Sequence, residues 1–175
     1  MHQFRQALQT DAEVIVRLVN AAYRGDSSRA GWTTEADLLD GLRATADEIG
    51  RLIASTSAII LLCQSEEELL GTVCIEQEQD AVHVGMFVVK PVMQGSGIGK
   101  QLLAEAERLA LQKWAPQKFK MYVITMRHEL IAFYERRGYQ RTGILRDFPI
   151  NPTVWQPKLA GLKLEMLEKT IIKHL

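Results

Sequence analysis

Residues 91–100, Pro-Val-Met-Gln-Gly-Ser-Gly-Ile-Gly-Lys, place three glycines within five positions between a strand pattern and a helix pattern. No other feature constrains the fold as strongly. Upstream, 81–90 contains Val82, Val84, Met86, Phe87, Val88 and Val89, apolar on both faces toward its end, so it must be a strand buried on both sides. Downstream, Ile98, Leu102, Leu103, Ala106, Leu109 and Ala110 recur at helical spacing up to Trp114. A buried strand running into a helix through glycines makes an anion cradle. The first helical N–H groups lack partners, the peptide dipoles place partial positive charge there, and glycines remove the Cβ atoms that would hold a phosphate away.

Spacing separates the phosphate loops that this segment could represent. The Walker pattern needs a glycine five residues before Gly99 and a Ser or Thr after Lys100, but the chain has Gln94 and Gln101. The dinucleotide fingerprint fits Gly95 and Gly97 and then meets Lys100; begun at Gly97 it meets Leu102. What fits is Gln-x-x-Gly-x-Gly, as Gln94, Gly97 and Gly99, preceded by Pro91.

Periodicity supplies the surrounding elements. Residues 2–8 read as a strand, and Thr10-Asp11-Ala12-Glu13 has capping-box spacing for a helix carrying Val14, Ile15, Leu18, Val19 and Ala22 and ending near Gly25. After a polar loop at 25–33, residues 34–42 resume helical periodicity, and 47–55 form a further short helix. Residues 57–64 and 69–77 make a β-hairpin. A strand at 118–124, a helix at 129–137 stopped by Gly138, and a strand at 139–145 follow. After a proline-containing excursion, 160–166 alternates as a half-exposed terminal strand. The order predicts an α/β fold with an antiparallel centre, and with no repeat or linker the chain is expected to be a single domain over 1–175.

Composition excludes several classes. A hydrophobic fraction of 47% against 24% charged rules out disorder. Twenty-one basic residues balance twenty-one acidic ones, so no whole-molecule field favours a nucleic-acid or membrane partner. The longest unbroken apolar stretch, 58–63, is too short for a signal-peptide core or a membrane span. Cys63 and Cys74 lie inside apolar runs and are expected to be buried and reduced, which together place the chain in the cytoplasm. His2, His83, His128 and His174 are isolated and no Cys/His pair has ligand spacing, so no metal site is expected.

The Gln94–Gly97–Gly99 loop resembles the pyrophosphate loop of the GNAT superfamily of acyl-CoA-dependent N-acetyltransferases. The run 130–139, Leu-Ile-Ala-Phe-Tyr-Glu-Arg-Arg-Gly-Tyr, resembles that family's second signature, a helix with an aromatic-Tyr pair followed by Gly-aromatic. The two motifs occur in the family's order across 82–145, and the element order of the chain matches as well. The resemblance implies a mixed, mainly antiparallel sheet with splayed central strands and helices on both faces.

It also implies roles. The backbone of Phe87, Val88 and Val89 would pair with the pantetheine arm of acetyl-CoA, and Gln94, Gly95, Ser96, Gly97, Ile98 and Gly99 would cradle the pyrophosphate. Tyr134 would act as the acid toward the departing thiolate. Where many members carry an Asn seven residues before this Tyr, the chain has Arg127. An alkylammonium must lose a proton before attack, and Glu76, Glu78 and His83 are candidates for the base, with Glu76 preferred because it sits within its strand.

The acceptor is expected to meet the first two helices and their loop, where Arg24 and Arg29 could clamp a carboxylate and Trp32 could form a wall. The expected activity is direct acetyl transfer from acetyl-CoA to a primary amine of a small molecule or peptide. The alternative is a non-catalytic acyl-CoA-binding sensor or partner-binding module, which would not need Tyr134. Dimers are common in the family, and the strand at 160–166 is a candidate for pairing across a homodimer.

Overall fold

The computed structural model describes residues 1–24, 29, 31, 34–66, 68–149, 151 and 153–173. In chain order the elements are β1 (Gln3–Gln6), α1 (Ala12–Tyr23), β2 (Leu39–Gly41), α2 (Ala46–Ala54), β3 (Ala58–Ser65), β4 (Glu68–Glu78), β5 (Ala81–Val89), α3 (Ile98–Trp114), β6 (Lys118–Ile124), α4 (His128–Glu135), β7 (Gln140–Asp147), β8 (Trp155–Pro157) and β9 (Lys163–Thr170). Seven strands form one sheet in the order β1-β3-β4-β5-β6-β9-β7. Every pairing in it is antiparallel except β5 with β6. The fold is therefore the mixed, mainly antiparallel α/β architecture that the sequence predicts.

Strand alternation builds a core on each face of this sheet. Ile59, Leu61 and Cys63 of β3 pack with Leu102, Leu103 and Ala106 of α3. Their neighbours Ile60 and Leu62 point the other way, onto Ile15 and Val19 of α1 and Ile49 of α2. A strand buried on both sides has no polar face to show, which is why 58–63 is continuously apolar. Among the described residues, no helix is long and apolar enough to cross a membrane.

Three expectations need correction. The helix expected over 34–42 is absent: Leu38 and Leu39 close a tight turn onto Glu35, and β2 pairs with β8 in a separate two-stranded sheet, Leu39 opposite Pro157 and Gly41 opposite Trp155. The apolar spacing there serves a small third core, in which Leu39 meets Ile124, Leu162 and Leu164. Gly41 has φ +97°, and a Cβ on it would lie 2.1 Å from the Val154 carbonyl oxygen, so only glycine permits that pairing.

The start of α1 is also organised differently. Its polar anchor is Asp11, whose carboxylate accepts the Leu8 N–H at 2.7 Å and receives Arg5 Nη1 at 2.8 Å and Nη2 at 2.9 Å. Finally, the last strand spans Lys163–Thr170 rather than 160–166, and β6 and β7 hydrogen-bond both of its edges. It therefore has no free edge along which a second copy could pair.

Candidate active site

The central strands part because β5 carries an extra residue. Thr72 of β4 faces Val88 and Cys74 faces Gly85, so Val73 alone spans Met86 and Phe87, and Met86 takes φ +44°. Such a bulge bends its strand. Parallel pairing with β6 runs only from Ala81–Lys118 to His83–Lys120 and then stops. The gap beyond holds two cavities. One, of about 300 Å³, is lined by Phe87, Val88, Val89, Gln94, Gly95 and Gly97 among others; the second, of about 210 Å³, lies toward β6 and includes Tyr134, His83 and Trp155 in its wall. Tyr23, Phe87, Arg127 and Leu130 border both.

At the mouth of the first cavity the chain turns from β5 into α3. Pro91 opens a short 3-10 turn over 91–93, and Gly95 and Gly97 follow with φ +82° and +89°. The first helical hydrogen bond of α3 is Gln101 N–H to Gly97 O at 3.2 Å. The N–H groups at this start of α3 precede that bond and have no partner inside the helix. Cβ atoms placed on Gly95 and Gly97 would meet nothing within 4 Å, so both glycines face open space. The Gln94 side chain instead turns inward, donating Nε2 to Val89 O at 3.1 Å and lying against Gly31. Lys100, Arg136 and Arg137 border the same cavity, with Arg137 held over the Phe133 ring at 3.7 Å and donating to Phe133 O at 2.8 Å. Amides at a helix N-terminus together with three cations suit a polyanion.

Tyr134, 5% exposed, sits in an aromatic stack with Phe87, Phe133 and Tyr139 at centroid distances of 6.0, 5.4 and 5.9 Å. Burial pushes its phenol far above the ordinary tyrosine range, with Tyr23 adding to the rise and Arg127 opposing it. A hydroxyl so placed stays protonated and can present its O–H as a hydrogen-bond donor. Tyr23, also raised chiefly by burial, donates its hydroxyl to Phe87 O at 2.9 Å across the divergent end of β5.

Beneath these rings lies a buried ion network. Glu35 receives Arg24 on Oε2 at 3.3 Å and Arg127 on Oε1 at 3.1 Å, and Arg24 Nη1 also donates to Leu42 O at 2.6 Å. Desolvation pulls the Arg24 guanidinium below its ordinary value while Glu35 opposes that fall. The three side chains are 4–8% exposed, and they lock the end of α1, the 34–42 segment and the start of α4 together.

Comparison with known proteins decides the family. Residues 56–141 match the acetyltransferase (GNAT) domain model. The chain carries a GNAT-family acetyltransferase domain. Three solved structures have the same fold. An acetyltransferase of the GNAT family from Streptococcus pneumoniae is 18% identical with TM-score 0.69, covering 98% of this chain and 100% of its own. The PaiA N-acetyltransferase of Thermoplasma acidophilum in complex with coenzyme A is 16% identical with TM-score 0.69, covering 98% and 99%. The ribosomal-protein-S18-alanine N-acetyltransferase of Escherichia coli is 12% identical with TM-score 0.71, covering 99% and 96%. Among curated proteins no sequence relative matches the chain.

The acetyltransferase brings some of its expected site residues together and separates others. Phe87–Val89 and the 94–99 loop share the first cavity, while Tyr134 faces the second. Glu76 pairs across strands with His83, its Oε1 lying 3.9 Å from Nδ1; that contact holds the Glu76 carboxyl below its usual range. Only His83 of the two borders the second cavity. Glu78 is engaged by Lys120 at 2.5 Å.

Arg24 and Arg29 do not form a clamp. Arg24 is committed to Glu35, and Arg29, half exposed, pairs with Asp37 at 2.7 Å. Trp32 lies outside the described residues. Reading the sequence missed Tyr23, Arg43, Arg146 and Trp155, since nothing local marks a helix tyrosine or a strand arginine as facing a cleft.

Proposed function

We propose that residues 1–175 act as a single domain that takes acetyl from acetyl-CoA and passes it directly to a primary amine of a small molecule or peptide. The gap where β5 and β6 diverge beyond His83 carries this reading, because it joins a polyanion cradle at one end to a buried tyrosine at the other. Bound acetyl-CoA supplies an activated thioester. The amides of Gly95 to Lys100, with Lys100 and Arg136 beside them, hold its pyrophosphate, and the backbone of Phe87–Val89 faces its pantetheine arm. Tyr23 fixes that backbone through the Phe87 carbonyl.

Transfer needs an unprotonated amine and a protonated leaving group. His83 takes the ammonium proton, and the Glu76 carboxylate lies 3.9 Å from its Nδ1. The amine nitrogen bonds to the acetyl carbon, the carbon–sulfur bond breaks, Tyr134 gives its proton to the sulfur, and the nitrogen's second proton leaves as the amide forms, with solvent returning a proton to Tyr134. Holding amine and thioester together supplies most of the rate. Burial raises the Cys74 thiol far above its usual range, which disfavours an acyl-enzyme route. The free, buried state of Cys63 and Cys74 supports a reducing cytoplasm as the place of work. A same-fold relative named for an alanine of ribosomal protein S18 supports an amine acceptor.

Calorimetry with acetyl-CoA, ATP and NAD, followed by mass spectrometry of amine products, tests the reading. Selective acetyl-CoA binding and an N-acetyl product are expected; ATP or NAD binding in its place would overturn the cradle assignment.

A further inference from the structure

The second cavity carries a charge pattern that selects among amines, an inference that rests on the acetyl-transfer reading above. Among the described residues, four arginines border it, Arg24, Arg43, Arg127 and Arg146, against the one carboxylate of Glu35. Glu35 is spent on two of them, Arg24 and Arg127. The other two have no carboxylate partner among the described residues. Arg43 lies over the Tyr23 ring at 5.4 Å and Arg146 over the Tyr122 ring at 3.6 Å, so each guanidinium is positioned by an aromatic face while its N–H groups remain available. The wall of the same cavity also carries the apolar and aromatic side chains of Met121, Phe148 and Trp155. His83, the proton acceptor, borders the same space, its ring tilted against Tyr122 with centroids 6.1 Å apart.

We propose that the acceptor is a primary amine bearing an oxyanion, carboxylate or phosphate, on an apolar body, with Arg43 and Arg146 holding the oxyanion. The same pocket excludes polyamines. A second ammonium would find cations where it needs a carboxylate, and like charges at short range reject a wrong ligand strongly. Guanidinium suits both oxyanions through paired N–H donors, so the pocket's chemistry covers either.

The test compares acetyl transfer within matched pairs: L-phenylalanine against phenethylamine, O-phosphoethanolamine against ethanolamine, and spermidine alone. The expected result is a kcat/KM at least about 10-fold higher for the anionic member of a pair, with spermidine inert. The pair showing the larger ratio tells carboxylate from phosphate. Arg146→Gln and Arg43→Gln should raise KM for the anionic amine by about 10- to 100-fold without changing the affinity for acetyl-CoA. Arg146 is exposed, so Arg146→Glu should fold and should reverse the preference within the pair. Preference for the amine lacking the oxyanion or for spermidine, or Arg146→Glu leaving the preference unchanged, overturns the proposal while calorimetric acetyl-CoA binding still supports acetyl transfer. Failure of acetyl-CoA to bind overturns the transfer reading itself and the acceptor assignment with it.

Discussion

The two cavities in the β5–β6 gap are made from different materials. The cradle side is mostly backbone: consecutive amides, two left-handed glycines and a helix end, all within 94–100. The acceptor side is mostly side chains, drawn from α1, the segments flanking β2, β5, β6, α4, β7 and the run into β8. A backbone cradle recognises a feature common to every acyl-CoA and needs little beyond correct dihedral angles. A pocket of side chains can change its ligand by changing any one of them, which is how one fold serves many acceptors.

The largest expected effect tests the cradle. Gly97→Val puts a branched side chain into the open space at φ +89°, where L residues are also strained, and should leave no acetyl-CoA binding detectable by calorimetry. The thermal midpoint should move only a few degrees. Binding that survives would break the division between the two sides.

The next tests the buried network under the acceptor side. Glu35→Ala strands two buried guanidiniums and should cost about 3–5 kcal/mol of folding stability in chemical denaturation. A loss under 1 kcal/mol would mean that solvent reaches Arg24 and Arg127.

Tyr134→Phe removes only a hydroxyl and should lower kcat by roughly 10²-fold with acetyl-CoA affinity unchanged. Full turnover by that variant would make Tyr134 a packing residue and shift proton delivery to solvent.

The smallest effect is a control away from both cavities. Arg5 holds the Asp11 carboxyl below its usual range, chiefly by hydrogen bonding, so the folded pKa is depressed. The stability this adds is present above the ordinary carboxylate pKa and disappears as pH falls through the folded value. Asp11→Asn should therefore cost about 0.5–1 kcal/mol at pH 7 and almost nothing near pH 2, as read in thermal melts, with kinetics for both substrates unchanged.

How much was legible in advance follows the same division. The glycine loop, the long helix α3 and the strand Lys118–Ile124 are written in contiguous residues, because helix starts and buried strands are set by near neighbours and apolar period. The sequence therefore determined the strand-to-helix cradle and the mixed α/β order on its own. Tertiary structure decided the rest. Residues 34–42 have helical spacing yet became a turn and a strand, because Leu39 gains more by burial against Ile124 and Leu164 than an isolated helical turn could gain in water. Arg24 looked available for a ligand and was claimed by Glu35, eleven residues on in sequence and directly opposite in space. The bulge at Met86 separates β5 from β6, and only folding brings Arg43, His83, Tyr134 and Arg146 to the walls of one cavity. Local patterns specify backbone, whereas a side-chain pocket depends on contacts between residues far apart in the chain, and those exist only once the sheet has closed.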